Sequence, residues 1–287
     1  MENISFLPYE TEALFQDYVI EQFKKENLSA AFPNKILRDD VFALLEKYCT
    51  VVYYPLCEEK NHGFHIKDMP RANGESLQIV YINTAHTIEK QVFTAAHELG
   101  HIWEVDKAIS ERLSEREKYD PETIISRFAA VLLMPEEVFS AALANKFSEL
   151  KADNDAASTI NRFLLFRLIT ELMNVFCVPL KAVIIRMVEL RFIEEDTGIW
   201  LLAYPKKDEI VSHIAKEQGF LKLMSSTKTT RIEKLPELLD EASKAGCVPS
   251  KKIEFMRKAF NIDSSDALAN ELQETVTIST EGGRTGT

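Results

Sequence analysis

Cysteine is scarce and poorly placed for cross-linking: the four residues at positions 49, 57, 177 and 247 form no CxxC pair and no dense framework. That excludes a disulfide scaffold, argues against zinc held by thiolates, and fits a reducing compartment. Glycine and proline are also few, 9 and 10 in 287 residues, so the chain is neither collagen-like nor broadly disordered. Basic residues are in deficit. With 34 Lys+Arg against 45 Asp+Glu and a net charge of −11, the chain has a weak footprint for non-specific contact with nucleic acid or an anionic membrane. The most apolar stretch, 163–185, is interrupted by Arg167, Glu171, Asn174, Pro179 and Lys181, and so falls short of the roughly 20 apolar residues that a membrane span needs. The opening residues MENISFLPYETEALF have neither the basic nor the apolar segment of a secretory leader. A cytoplasmic protein without a membrane partner is expected.

What is present is helical periodicity around a short β-rich stretch. Leu14, Phe15, Tyr18, Val19 and Phe23 recur at helical spacing over 9–26, as do Val41, Leu44, Leu45 and Tyr48 over 37–48. The segments 49–56, 62–66 and 76–83 are short, rich in β-branched and aromatic residues and separated by polar turns such as 71–74, which predicts a small sheet. Helices are expected over 88–105, 108–118, 121–134, 136–147, 156–175 and 180–191, bounded by Pro135, Asp155 and Pro179. A hairpin turning at Asp196–Gly198 is expected over 192–204, then three or four charged helices over 206–274 and a polar tail. The fold class is therefore α+β and mostly helical. Its expected parts are a catalytic domain over 1–150, a helical extension with a hairpin over 151–204, a helical region over 205–275 and a disordered tail over 276–287.

The strongest chemical signal is His97-Glu98-Leu99-Gly100-His101. Positions i and i+4 share one face of a helix, so both imidazoles can converge on one ion while Glu98 addresses a water on it, the arrangement of a zinc metallohydrolase. The flanking VFTAAHELGHIW implies a tightly packed helix. Two histidines and a glutamate there need partners, since an unpaired buried polar group costs about 1–3 kcal/mol. Satisfied core histidines are the bland alternative.

A catalytic zinc needs a third protein ligand. The extended motif HExxHxxGxxH is absent, because Glu104 and Lys107 stand where it wants Gly and His. A carboxylate from a following helix is the remaining route, offered by Glu111, Glu115, Glu117, Asp120 and Glu122, with Glu104 a rival on the histidine face. Glu122 is favoured. Asp120 can cap the helix of DPETIISRFAAVLLMP, Pro121 can take its first position, and Glu122 then lies in its first turn. A first-turn Glu also simply suits the helix dipole.

Together, FTAAHELGH and FAAVLLMP resemble the ImmA/IrrE family of zinc metallo-endopeptidases, a zincin-like fold. The resemblance extends upstream to VVYYPL, Gly63-Phe64 and IVYIN, and downstream to FCVPLKAVIIRM. It implies zinc on His97 and His101, with Glu98 as general base. The family's third-ligand glutamate stands four residues before the Phe of FAA, which here is Ile124, so Ile124→Glu would restore the family pattern. The pair 160–175 and 180–191 with its hairpin resembles a winged helix-turn-helix. Its second helix offers only Lys181, Arg186 and Arg191, and direct nucleic-acid binding is not expected. The resemblance implies cleavage of one specific protein, a helix-turn-helix transcriptional repressor of a mobile element or stress regulon. Two alternatives stand beside it: a catalytically weak zincin-like sensor or binding module acting on a regulator, and a di-iron carboxylate protein using Glu98-x-x-His101 and Glu59-x-x-His62. Tyr119 and His86 are the candidates for stabilising the carbonyl oxygen.

Overall fold

The computed structural model describes residues 6–27, 35–56, 60–70, 76–113, 118–152, 162–246, 248–260 and 262. Phe15, Tyr18, Val19 and Phe23 bury one face of α1 (Glu12–Lys25), and Val41, Leu44 and Leu45 do the same for the short α2 (Asp40–Leu45). The β-rich stretch forms β1 (Thr50–Tyr54), β2 (Gly63–Pro70) and β3 (Ser76–Asn83). β1 lies parallel to β3, with Val51 opposite Val80, and β2 runs antiparallel along the other side of β3. With β4 (Arg231–Ile232) the sheet order is β2-β3-β1-β4, which leaves β2 as an edge strand.

β3 leads into α3 (Ile88–Ile102), followed by α4 (Val105–Arg112), α5 (Pro121–Leu133), α6 (Glu136–Ala152), α7 (Arg162–Phe176) and α8 (Leu180–Glu189). Gly100 sets how closely α3 and α5 approach: a Cβ there would fall 2.9 Å from Phe128 Cδ1 and 3.1 Å from Ile125 Cγ2. The α5 segment reads apolar nearly all round because it is surrounded, with Ile124, Ile125 and every residue from Arg127 to Leu133 buried.

Four buried charged residues form one paired cluster. Glu12 of α1 accepts from Arg186 Nη1 and Nη2 of α8 and from Arg127 Nη2 of α5, each at 2.6 Å. Arg186 Nε also donates to the Met134 carbonyl at 3.0 Å. Glu189 pairs with Arg127 and accepts from Leu7 N at 3.1 Å. Burial pushes the Glu12 carboxyl up, but the Arg186 and Arg127 guanidiniums outweigh it and hold the group at about 2.

α7 and α8 meet at 104° across a turn containing Cys177 in the left-handed region, the bend of a helix-turn-helix. Only Lys181 and Ile185 of α8 escape burial. Arg186 is fully buried, and Arg191 pairs with Glu10.

Two expectations need correction. The segment 192–204 is not a hairpin; it contains α9 (Glu195–Ala203). Glu195 and Asp196 favour a helix N-terminus. Gly198 serves close packing instead of a turn, since a Cβ there would lie 2.4 Å from Val188 Cγ2. The region 205–275 is also not purely helical. After α10 (Lys207–Glu217) the chain returns to the sheet as β4, antiparallel to β1, before α11 (Leu235–Lys244) and α12 (Ser250–Ala259). On the way Ser225 O caps Ile88 N at 3.0 Å, Lys228 N donates to Thr84 O at 3.0 Å, and Thr84 Oγ1 donates to Thr229 O at 2.7 Å. This strap supplies a partner for a first-turn amide of α3 and so belongs to the same body as the metal motif. The tail 276–287, the turn 71–74, Cys57, Cys247, Glu59, Glu115 and Glu117 lie outside the described residues.

Candidate metal centre

His97 and His101 project from one face of α3, with Glu98 buried between them. The Gly100 contact draws α5 across this face and brings Glu122, in its first turn, to the two rings. His97 Nε2 lies 3.1 Å from Glu122 Oε2 and 3.2 Å from His101 Nε2, and His101 Nε2 lies 3.6 Å from Glu122 Oε2. Bonds of about 2.0–2.1 Å in a tetrahedral site hold ligand atoms about 3.3–3.4 Å apart. The three donors therefore stand at the corners such an ion requires, and the group could hold a metal.

Asp120 caps α5 by accepting from Thr123 N at 3.2 Å. This fixes the start of the helix with positions 122 and 126 on the side facing α3. Ser126 Oγ lies 3.4 Å from His97 Nδ1, leaving Nε2 to face Glu122. Ile124, about 200° around the helix from Glu122, is fully buried in the hydrophobic core. The rivals are elsewhere. Glu104 sits at positive φ just past the end of α3 and pairs with Lys107; Asp120 is spent on the cap; Glu111 is exposed on α4.

Electrostatics favour ligation and proton transfer. Burial, then the neighbouring His101, lowers the His97 pKa against the opposing pull of Glu122, which keeps the ring neutral and able to bind a cation. Burial, then the Glu122 charge, raises the Glu98 carboxyl to about 7, a poised general base. The site opens into a cleft of about 960 Å³ bounded by the 60–64 segment at the start of β2, by Lys90, Phe93 and Thr94 of α3, and by Lys181 and Ile185 of α8.

Residues 46–187 match the Peptidase_M78 family, described as the IrrE N-terminal-like domain. This segment belongs to that metallopeptidase family. The match starts in the turn before β1 and ends within α8, so it takes in β1, β2 and β3, the HExxH helix and the whole α3–α5 contact. Among solved structures, a Mycobacterium tuberculosis transcriptional regulator aligns at 12% identity over 63% of this chain and 51% of its own, with a TM-score of 0.38. The chain thus spans about half of that protein, and a likeness of this grade carries no argument. No curated protein matches at the significance required.

Ser126 was in principle legible as a cleft residue, four residues after Glu122 and so on its face. His62 and Lys181 stand in the sequence only as parts of other patterns, an ExxH pair and a helix-turn-helix-like helix, because only the fold brings the start of β2 and the start of α8 to the metal helix.

Proposed function

We propose that the chain is a zinc-dependent endopeptidase that cuts one specific protein in the cytoplasm. One observation carries the reading: three donor atoms at tetrahedral spacing beside a buried, basic Glu98 on the floor of a cleft. A zinc ion held by His97, His101 and Glu122 would polarise the scissile carbonyl and lower the pKa of the attacking water. Glu98 takes a proton from that water as its oxygen bonds to the carbonyl carbon, then delivers it to the amine as the C–N bond breaks. β2 supports an extended substrate, because its outer edge pairs with no strand among the described residues and Phe64 and Ile66 are exposed along it. The substrate we favour is a helix-turn-helix repressor of a mobile element or stress regulon, on the strength of the family resemblance. Recognition of that protein, not of DNA, suits a chain whose helix-turn-helix-like pair buries Arg186.

The test is co-expression of the chain with neighbouring repressors, followed by zinc quantification and cleavage assays on wild type and Glu98→Gln. The variant should retain about one zinc per chain and lose cleavage, because an amide cannot act as base. Unchanged turnover would refute the mechanism. A second reading, a weakly catalytic sensor that binds a regulator, draws on the exposure of Glu122, whose side chain is 64% accessible. It expects partner binding that is indifferent to Glu98→Gln.

A further inference from the structure

Neither sequence candidate for steadying the carbonyl oxygen lines the cleft. Tyr119 packs against the hydrophobic core, and His86 stacks on the ring of His62. His62 does line it, on a segment held from several sides. The His62 carbonyl accepts from Asn83 N at 3.0 Å, while the Asn61 carbonyl receives Asn83 Nδ2 at 2.7 Å and lies 3.1 Å from His86 Nε2. Asn83 is fully buried, and its Oδ1 accepts from Leu56 N and Ala85 N at 3.0 and 3.1 Å. The His62 ring stacks on that of His86, with centroids 4.3 Å apart and planes 26° from parallel.

One residue further on, Gly63 is pressed against α3. A Cβ there would lie 2.6 Å from Thr94 Cγ2 and 3.7 Å from Glu98 Oε1. The scaffold therefore presents an imidazole in the same cleft as the general base, one residue before the glycine that packs against its helix. Among the described residues, neither ring nitrogen of His62 has a hydrogen-bond partner. Burial, His86 and Lys90 all lower its pKa, so the ring is neutral near pH 7 and keeps one N–H to donate.

We propose that His62 is a catalytic residue whose ring N–H donates a hydrogen bond to the scissile carbonyl oxygen as negative charge gathers there, with His86 positioning the ring. The inference rests on the endopeptidase reading. As the water oxygen bonds to carbon, the carbonyl π pair moves onto oxygen. His62 holds that charge without giving up its proton. The pair returns when the C–N bond breaks, and the departing nitrogen takes the proton carried by Glu98.

The test uses the zinc-reconstituted full chain, a quenched-fluorescent random-octapeptide mixture as substrate, and two inhibitors, a tetrahedral phosphonamidate dipeptide and a planar peptide hydroxamate. His62→Phe keeps a ring to stack on His86 and removes the donor. It should lower kcat about 100-fold, as loss of one oxyanion donor does, with KM changed less than about twofold and zinc content and melting temperature as wild type. The phosphonamidate should weaken by a similar factor, the hydroxamate hardly at all, and His62→Gln, which retains an N–H donor, should recover most of both losses. Wild-type kcat in His62→Phe, or equal weakening of the two inhibitors, overturns the proposal and leaves the endopeptidase reading intact. A zinc-bound wild type that cleaves neither the mixture nor any co-expressed repressor overturns both. If His62→Phe fails to fold, His62→Gln and His62→Ala decide together: near-normal kcat in His62→Gln beside a loss of about 100-fold in His62→Ala supports a donor role, and equal kcat in the two refutes it.

Discussion

Ile124→Glu separates the family pattern from the geometry of this chain. By alignment, a glutamate at 124 restores a ligand; by packing, it cannot reach one. Ile124 is fully buried and part of the main core, on the opposite side of α5 from Glu122 and Ser126. Removing its apolar burial forfeits about 1.5–3 kcal/mol. Placing a carboxyl there adds about 1–3 kcal/mol even when it is protonated. The sum, about 2.5–6 kcal/mol, is a large part of the 5–15 kcal/mol that holds a typical domain. Urea unfolding should show the loss as a fall in midpoint with little change in slope. Zinc titration of Glu122→Ala should show affinity down by more than about a hundredfold, beyond the 10–100-fold typical of losing a residue that only supports a ligand. Adding Ile124→Glu to Glu122→Ala should restore nothing. A double variant with recovered zinc affinity and near-wild-type stability would refute the assignment of Glu122 and the rotation of α5 that underlies it.

Three further outcomes are expected. Arg186→Met leaves Glu12 buried and under-paired and should lower stability by about 3 kcal/mol or more, while Arg186→Met with Glu12→Leu should recover much of it, both read by urea unfolding. In metal-free protein the folded Glu98 pKa of about 7 lies above its ordinary value of 4.5, so the fold holds a proton that the unfolded chain releases. Stability should therefore decline by about 3 kcal/mol as pH rises from about 4.5 to 7, a slope that Glu98→Gln removes. Gly63→Ala would put a Cβ 2.6 Å from both Thr94 Cγ2 and Tyr81 O, so it should cost about 1–3 kcal/mol and reduce peptide cleavage more than zinc affinity.

Much of this was legible locally. The helical spacing in α1 and α5, the β-branched and aromatic runs of β1 and β3, and the i, i+4 histidines of α3 are set by residues a few positions apart, and such patterns survive in a bare sequence. Asp120 and Pro121 likewise announce the start of α5, and the structure uses Asp120 as the cap. The segment 192–204 misled because a Gly two residues into an acidic start looks like a turn. Only the neighbouring Val188 reveals that Gly198 is small in order to let two helices touch.

The sequence by itself determined most of the elements before residue 192, the α+β class and the convergence of His97, Glu98 and His101, because a helix dictates which of its own residues share a face. The tertiary structure decided which face of α5 meets that helix, through Gly100 against Phe128 and Ile125, and so brought Glu122 to the histidines while sending Ile124 into the core. It also decided that Arg186 is an internal partner of Glu12, that residues 225–232 complete the sheet and cap α3, and that His62 faces the cleft. Each of these depends on contacts between segments far apart in the chain, and no local period or propensity encodes the angle at which two packed elements meet.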